Sequence, residues 1–181
     1  MSKKFLELSD ELSRFISDQK IFFVATAAPD GKINLSPKGQ DSLRVLNSKE
    51  ILWMNLTGSG NETAAHLSES NRITMMWCAF EGPPRILRVY GTAQVFHPRD
   101  ARWSEFSTQI PARLGTRQYF LVSIDLIKTS CGEAVPFMDY VKDRRGLSEW
   151  SEKKGEKGIL EYWQGRNQLS LDGKPTGILD S

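Results

Sequence analysis

The part of this chain best suited to chemistry is a short turn, residues 56–66, that is rich in glycine and in small polar residues. A strand-like apolar run ends at its start, glycines at positions 58 and 60 permit a tight concave backbone, and a helical pattern follows. Backbone N–H groups in such a turn and at a helix start point into one small space, where they stabilise a phosphate. The alternative interpretation is an ordinary turn in which Ser59 or Asn61 is the helix N-cap.

Small polar residues favour the phosphate interpretation, because they can hydrogen-bond phosphate oxygens without blocking the approach of a ligand. The candidates in this turn are Thr57, Gly58, Ser59, Asn61 and Thr63. A dinucleotide-binding fingerprint is excluded, because Thr63 stands at its third glycine position and the chain lacks alternating strands and helices. A P-loop is excluded as well, because no Gly-Lys-Ser/Thr follows the turn.

Two basic residues are further candidates for ligand binding. Lys38 lies at a strand end between Pro37 and Gly39, where its ammonium can meet a phosphate as a point charge; a solvated surface lysine is the alternative. Arg88 lies in the middle of an apolar strand and therefore needs a partner. That partner would be a ligand phosphate, a carboxylate or a second subunit. No pair of residues suited to acid–base catalysis is identifiable, so catalytic residues stay unassigned.

Hydrophobic periodicity predicts the elements that position these residues. It predicts an amphipathic helix over 4–18, helices at 62–67 and 98–110, and a helical and irregular extension over 131–181. Short turns join the strands of the core, residues 20–130, so neighbouring strands must be antiparallel, which favours a closed or partly closed β-barrel. We expect one mainly β domain over 1–181, with peripheral helices and six or seven strands. The predicted strands are 21–27, 33–36, 42–46, 50–56, 72–80, 85–96 and 119–127.

The composition excludes several classes of protein. The 181 residues carry 24 basic and 22 acidic side chains without the basic stripe of a nucleic-acid-binding protein. No apolar run approaches the roughly 18 residues of a membrane span, and acidic residues follow the N-terminus at once, which predicts no signal peptide. His66 has no neighbours at ligand spacing and the cysteines form no CxxC pair, so no metal site is predicted. The expected location is the cytoplasm.

Together these features resemble the pyridoxamine 5′-phosphate oxidase-related family of flavin-binding split barrels. The similarity extends from about residue 10 to residue 130, and residues 131–181 resemble only a narrower branch of the family. Five segments carry the resemblance. Residues 22–31 resemble the first hairpin of the family, 34–39 its second strand, and 58–67 its phosphate-contacting turn and helix. Residues 72–74 and 88–93 resemble two later strands.

The resemblance implies a homodimer that binds two molecules of flavin mononucleotide (FMN) at the subunit interface, each touched by both chains. Arg88 stays a candidate cofactor ligand. The implied activity is FMN-dependent oxidation or reduction of an unknown small molecule. The alternatives are a flavin- or haem-binding module without turnover and a structural dimer that binds no ligand. By position, the phosphate and ribityl groups would be held by Lys38, Thr57, Gly58, Ser59, Asn61 and Thr63, with Ser36 and Asn55 near the flavin.

Two features of the chain depart from the pattern of the oxidase. Glu62 stands in the turn where the oxidase carries basic residues, and its carboxylate would repel a phosphate unless the side chain points away. The arginine and histidine that bind the substrate phosphate of the oxidase have no counterpart near the C-terminus, since Arg166 lacks their context. The resemblance therefore implies flavin binding rather than oxidation of pyridoxamine phosphate.

Overall fold

The alternation of apolar and polar residues organises this chain into one antiparallel sheet of eight strands, accompanied by four helices. The computed structural model describes residues 2–180. The strands are β1 (Lys3–Phe5), β2 (Phe22–Thr26), β3 (Asn34–Lys38), β4 (Leu43–Asn47), β5 (Glu50–Leu56), β6 (Arg72–Cys78), β7 (Ile86–Phe96) and β8 (Thr116–Ser130). The helices are α1 (Asp10–Asp18), α2 (Glu62–Glu69), α3 (Trp103–Gln109) and α4 (Gly146–Arg166). The predicted mainly β class is confirmed.

The sheet curls around its main hydrophobic core. The strand order is β3-β2-β6-β7-β8-β5-β4, with β1 paired to β8, so three strands separate β2 from β5. Nevertheless, the rings of Phe22 on β2 and Trp53 on β5 pack edge to face with centroids 6.3 Å apart. This contact requires a strongly bent sheet, in which the inward-facing residues of distant strands share one core. A second cluster on the outer face joins Phe106 of α3 to Tyr119 of β8.

The largest differences from the predicted element boundaries concern two helices, the last strand and an additional strand at the N-terminus. The first helix begins at Asp10 rather than at residue 4, because the Ser9 side chain accepts a hydrogen bond from the backbone N–H of Leu12 as N-cap. Residues 3–5 instead form an eighth strand that pairs with the end of β8. The third helix begins at Trp103 rather than at residue 98. The last strand covers 116–130 instead of 119–127, because it pairs with β5, β7 and β1 in turn.

The C-terminal extension packs its last helix and tail onto the barrel. Residues 131–145 lack regular structure, and α4 is interrupted at Gly155, whose φ is +64°. Beyond α4 the tail makes a tight turn closed by a bridge between Leu169 and Pro175. Within residues 2–180, no helix combines the length and the apolar composition that crossing a membrane requires.

The pairing of β7 with β8 depends on a glycine at a bulge. The register shifts between Tyr90 and Gly91, and a Cβ atom at Gly91 would overlap the backbone carbonyl of Ser123 on β8. We expect Gly91→Ala to destabilise the fold by about 3 kcal/mol, because neither backbone can move without breaking the ladder. Thermal unfolding measures this, with Gly146→Ala, which meets nothing within 4 Å, as the control. Equal melting temperatures for both variants would contradict the prediction.

Candidate functional site

A cavity of about 520 Å³ lies where β3 and β5 meet the turn between β5 and α2. Its volume falls within the range of about 300–1,000 Å³ that is usual for small-molecule sites. The structure brings eight of the nine residues proposed from sequence to its wall. They are Ser36, Lys38, Asn55, Thr57, Gly58, Ser59, Asn61 and Thr63.

Arg88, the ninth residue, lies elsewhere. It is half-buried on β7, opposite Met76 of β6 and Lys128 of β8, and it does not line this cavity. Its guanidinium donates a hydrogen bond to the Ser130 hydroxyl, 3.3 Å away. The partner that a mid-strand arginine requires is therefore supplied, at least in part, by the neighbouring strand.

A different arginine, which sequence reasoning missed, lies in the wall of the cavity. Arg117 is only 3% exposed at the start of β8. Its Nη1 donates to the Gly60 carbonyl and to the Asn167 side-chain oxygen, both at 2.9 Å, while its buried Nε–H has no partner within residues 2–180. Burial lowers the pKa of Arg117 to about 10. The predicted strand began at residue 119, which left this arginine outside it.

Lys38 is the second cation of the cavity. It shares one side of β3 with Asn34 and Ser36, as alternation along a strand requires, and its Nζ lies 5.3 Å from the centroid of the Trp53 ring. Burial first, and the nearby positive charge of Arg117 second, lower the pKa of Lys38 to about 8. Both effects disfavour the ammonium, so an anion in the cavity would be attracted by two poorly solvated cations.

The acidic residue of the turn points away from the cations. Glu62 is the one carboxylate among the lining residues of the cavity, and its two oxygens accept the backbone N–H of Leu171 at 3.1 and 3.0 Å. The neighbouring tail therefore holds the carboxylate. Within residues 2–180 the Glu62 carboxylate forms no ion pair with Lys38 or Arg117, so this departure from the family pattern does not neutralise either cation.

The turn between β5 and α2 is fixed by hydrogen bonds to β8 and α4 and to the loop before β8. The Thr57 hydroxyl donates to the Gly115 carbonyl at 2.7 Å and accepts from the Trp163 indole N–H at 2.9 Å, so this side chain fixes the turn. Asn61 occupies the N-cap position of α2 but makes no side-chain capping bond. The side chain of Asn61 therefore does not cap the helix as the ordinary-turn interpretation requires. Its amide donates weakly to the Asn167 carbonyl, at 3.5 Å.

Four buried polar atoms of the cavity wall lack a hydrogen-bond partner within residues 2–180. They belong to Ser36, Gln40, Asn61 and Arg117. Buried polar groups in folded proteins are nearly always satisfied, so a cluster of orphaned atoms around one cavity indicates a polar ligand. Gln40 was not predicted from sequence; its φ of +60° is a strained conformation for a residue with a side chain.

Solved structures define the class to which this fold belongs. A putative pyridoxamine 5′-phosphate oxidase from Lactobacillus delbrueckii superposes with a TM-score of 0.54 at 16% identity, over 68% of this chain and 94% of its own. HupZ from Group A Streptococcus superposes with a TM-score of 0.52 at 17% identity, over 66% of this chain and 91% of its own. At these identities the likeness concerns the fold alone, and the predicted split barrel is confirmed.

Sequence comparison supplies the family. The model of the pyridoxamine 5′-phosphate oxidase family matches residues 8–131. The pyridoxamine 5′-phosphate oxidase family protein ustO of Aspergillus flavus is 34% identical over an alignment of 186 positions, gaps included, that covers 93% of this chain and 75% of that protein. This chain therefore belongs to the pyridoxamine 5′-phosphate oxidase family. The resemblance stated from its sequence motifs is confirmed, whereas residues beyond 131, including most of the C-terminal extension, lie outside the family match.

Proposed function

We propose that this chain binds FMN in the 520 Å³ cavity, with the phosphate between Lys38, Arg117 and the turn at residues 57–61. One observation carries the proposal: Arg117 is 3% exposed and has no carboxylate partner among the described residues. Burying a guanidinium away from water without an anion beside it costs roughly several kcal/mol, so the site is suited to a negatively charged ligand. The family resemblance implies that this ligand is a flavin phosphate.

The residues present fit that cofactor. Backbone N–H groups of the turn and the side chains of Lys38 and Arg117 would hold the phosphate, because charge-assisted hydrogen bonds to phosphate are the strongest available here. Ser36 and Asn55 would lie along the rest of the cofactor; Asn55 is fixed by donating to the Gln118 side chain at 2.8 Å. When bound, the flavin ring supplies electron transfer to or from a substrate, and the protein binds and orients it.

We further propose that the protein is an oxidoreductase acting on a small molecule, rather than a module that only stores flavin. A second groove, of about 870 Å³, shares residues 37–40 with the cofactor cavity. Its lining combines three aromatic residues, Phe15, Phe80 and Tyr140, with many charged side chains. A groove of this size beside the cofactor provides room for a substrate, which a storage protein does not need.

A homodimer with the cofactor at the interface is the proposed assembly. β3 forms one edge of the sheet, and the residues that alternate with Asn34, Ser36 and Lys38 along it are exposed. Ile33 and Leu35 at this edge are 78% and 66% exposed, an apolar pair that a second subunit would cover. Light scattering should then give twice the chain mass of 20.5 kDa, and Leu35→Lys should shift the protein toward single chains.

The proposal predicts a flavoprotein. We expect the purified protein to show the visible absorption bands of oxidised flavin, or the colourless protein to bind added FMN with a micromolar or lower dissociation constant. Quenching of flavin fluorescence measures the binding, and riboflavin, which lacks the phosphate, should bind more weakly because it leaves both cations unpaired. Bleaching of the bound pigment by a reduced nicotinamide would support the oxidoreductase. If the purified protein shows no flavin pigment and also binds no added FMN saturably, the proposed function is contradicted.

A further inference from the structure

Asn167 connects the C-terminal extension to the proposed phosphate site. It is fully buried at the end of α4, with 0% exposure, and it lies outside the family match. Its side-chain oxygen accepts the hydrogen bond from Arg117 at 2.9 Å. Its side-chain NH₂ donates to the Gly58 carbonyl at 3.1 Å and to the Ser59 carbonyl at 3.5 Å. One carboxamide thus contacts both the buried cation and the glycine turn.

The orientation of this amide is determined by its partners. Arginine can only donate, and backbone carbonyls can only accept, so the reversed amide would oppose donor to donor and acceptor to acceptor. The backbone of Asn167 is fixed as well. Its N–H donates to the Trp163 carbonyl at 2.9 Å, and its carbonyl accepts from the Thr176 hydroxyl at 2.6 Å. The side chain therefore has little freedom to adopt another arrangement.

The neutrality of the amide matters for the charge of the site. A carboxylate in this place would pair with the Arg117 guanidinium and cancel its charge, which would weaken the attraction between the site and a ligand anion. An asparagine accepts the same hydrogen bond and leaves the positive charge uncompensated. Because Nη1 donates to both Gly60 and Asn167, it is satisfied, whereas the Nε–H remains without a partner in residues 2–180.

Ion pairs hold the segment that carries Asn167 in place. The Lys174 ammonium lies 2.6 Å from the Asp30 carboxylate and 2.7 Å from that of Glu69, and Asp172 lies 2.6 Å from Lys32. These contacts attach the tail to the turn after β2 and to the end of α2. The same tail supplies the backbone N–H of residue 171 that binds the Glu62 carboxylate.

We propose that Asn167 is a positioning residue for the cofactor phosphate. It aligns Arg117 and the glycine turn into one preorganised anion site and does so without neutralising the guanidinium. The C-terminal extension would thereby complete a binding site whose other parts belong to the barrel. This inference rests on the proposed function, since it assumes that the anion bound there is the phosphate of FMN.

The test compares FMN with riboflavin in binding to Asn167→Asp, Asn167→Ala and the wild type. Exposed Gln168, replaced by alanine, is the matched control on the adjacent residue. We expect the aspartate variant to raise the FMN dissociation constant about a hundredfold, because its carboxylate would neutralise the Arg117 guanidinium. The alanine variant should raise it about tenfold, because it only removes the hydrogen bonds that align Arg117 and the turn. Riboflavin affinity should change less than about threefold, since it has no phosphate to sense the change.

The outcomes separate this inference from the proposed function. An equal loss of affinity for FMN and riboflavin would show that Asn167 only supports the fold, and would overturn the inference. So would unchanged FMN binding in both variants while the wild type binds. If the aspartate variant does not fold, the alanine variant alone decides by the same ratio of affinities. A wild type that binds neither flavin overturns the proposed function, and this inference with it.

Discussion

Replacing Arg117 with methionine is expected to weaken FMN binding about a hundredfold or more without destabilising the ligand-free protein. The guanidinium is buried without a carboxylate partner, so its removal eliminates an unfavourable charge from the apo-protein, which offsets the loss of its hydrogen bonds to Gly60 and Asn167. Its removal also eliminates a strong phosphate contact. Methionine has a similar volume and keeps the cavity wall filled. Flavin titration and thermal unfolding of the same samples measure the two effects together.

A large loss of FMN affinity without a loss of stability makes the Arg117 experiment diagnostic. An arginine that only stabilises the fold would lower the melting temperature when removed and would affect FMN and riboflavin alike. Arg72→Met is a suitable control, because Arg72 is exposed and its side chain makes one hydrogen bond within residues 2–180, to the Ser70 hydroxyl at 3.2 Å. A large loss of stability in Arg117→Met, with unchanged FMN affinity, would argue against a phosphate at this place.

The second large effect is a pH dependence of FMN affinity that depends on Lys38. Burial and Arg117 lower the pKa of this lysine to about 8, and a phosphate in contact would raise it again. Binding therefore takes up a proton above pH 8. We expect the FMN dissociation constant to stay level from about pH 7 to 8 and then to rise by up to about tenfold per pH unit. In Lys38→Met the affinity should be weaker and this rise should be absent.

The same lysine should change the stability of the ligand-free protein with pH. Because the pKa of Lys38 is lowered in the folded state from 10.5 to about 8, the unfolded chain binds more protons between these values. Stability contributed by this group is then greatest above pH 10.5 and is lost as the pH falls toward 8, a difference of about 3 kcal/mol. Denaturant unfolding of Lys38→Met should lack this slope, whereas exposed Lys153→Met should keep it. A slope that survives in Lys38→Met would assign the effect to another group.

Local sequence determined the parts of this protein that depend on neighbouring residues. The glycine turn, the strand that ends at Lys38 and the antiparallel strands each follow from short-range patterns of hydrophobicity and turn residues, and these patterns carried the family resemblance. Eight of the nine proposed site residues lie around one cavity for this reason. They belong to the continuous segment from β3 to the start of α2, and the elements of this segment also meet in the barrel.

Only the tertiary structure decided which charges belong to the site. Arg88 and Arg117 are both strand arginines, and nothing local distinguishes the one that bonds Ser130 from the one buried beside the turn. Arg117 is 57 residues from Gly60, and Asn167 is 109 residues from Gly58, so packing alone brings them together. The physical reason is desolvation. A guanidinium attracts an anion strongly only when the fold buries it away from water and places no carboxylate beside it.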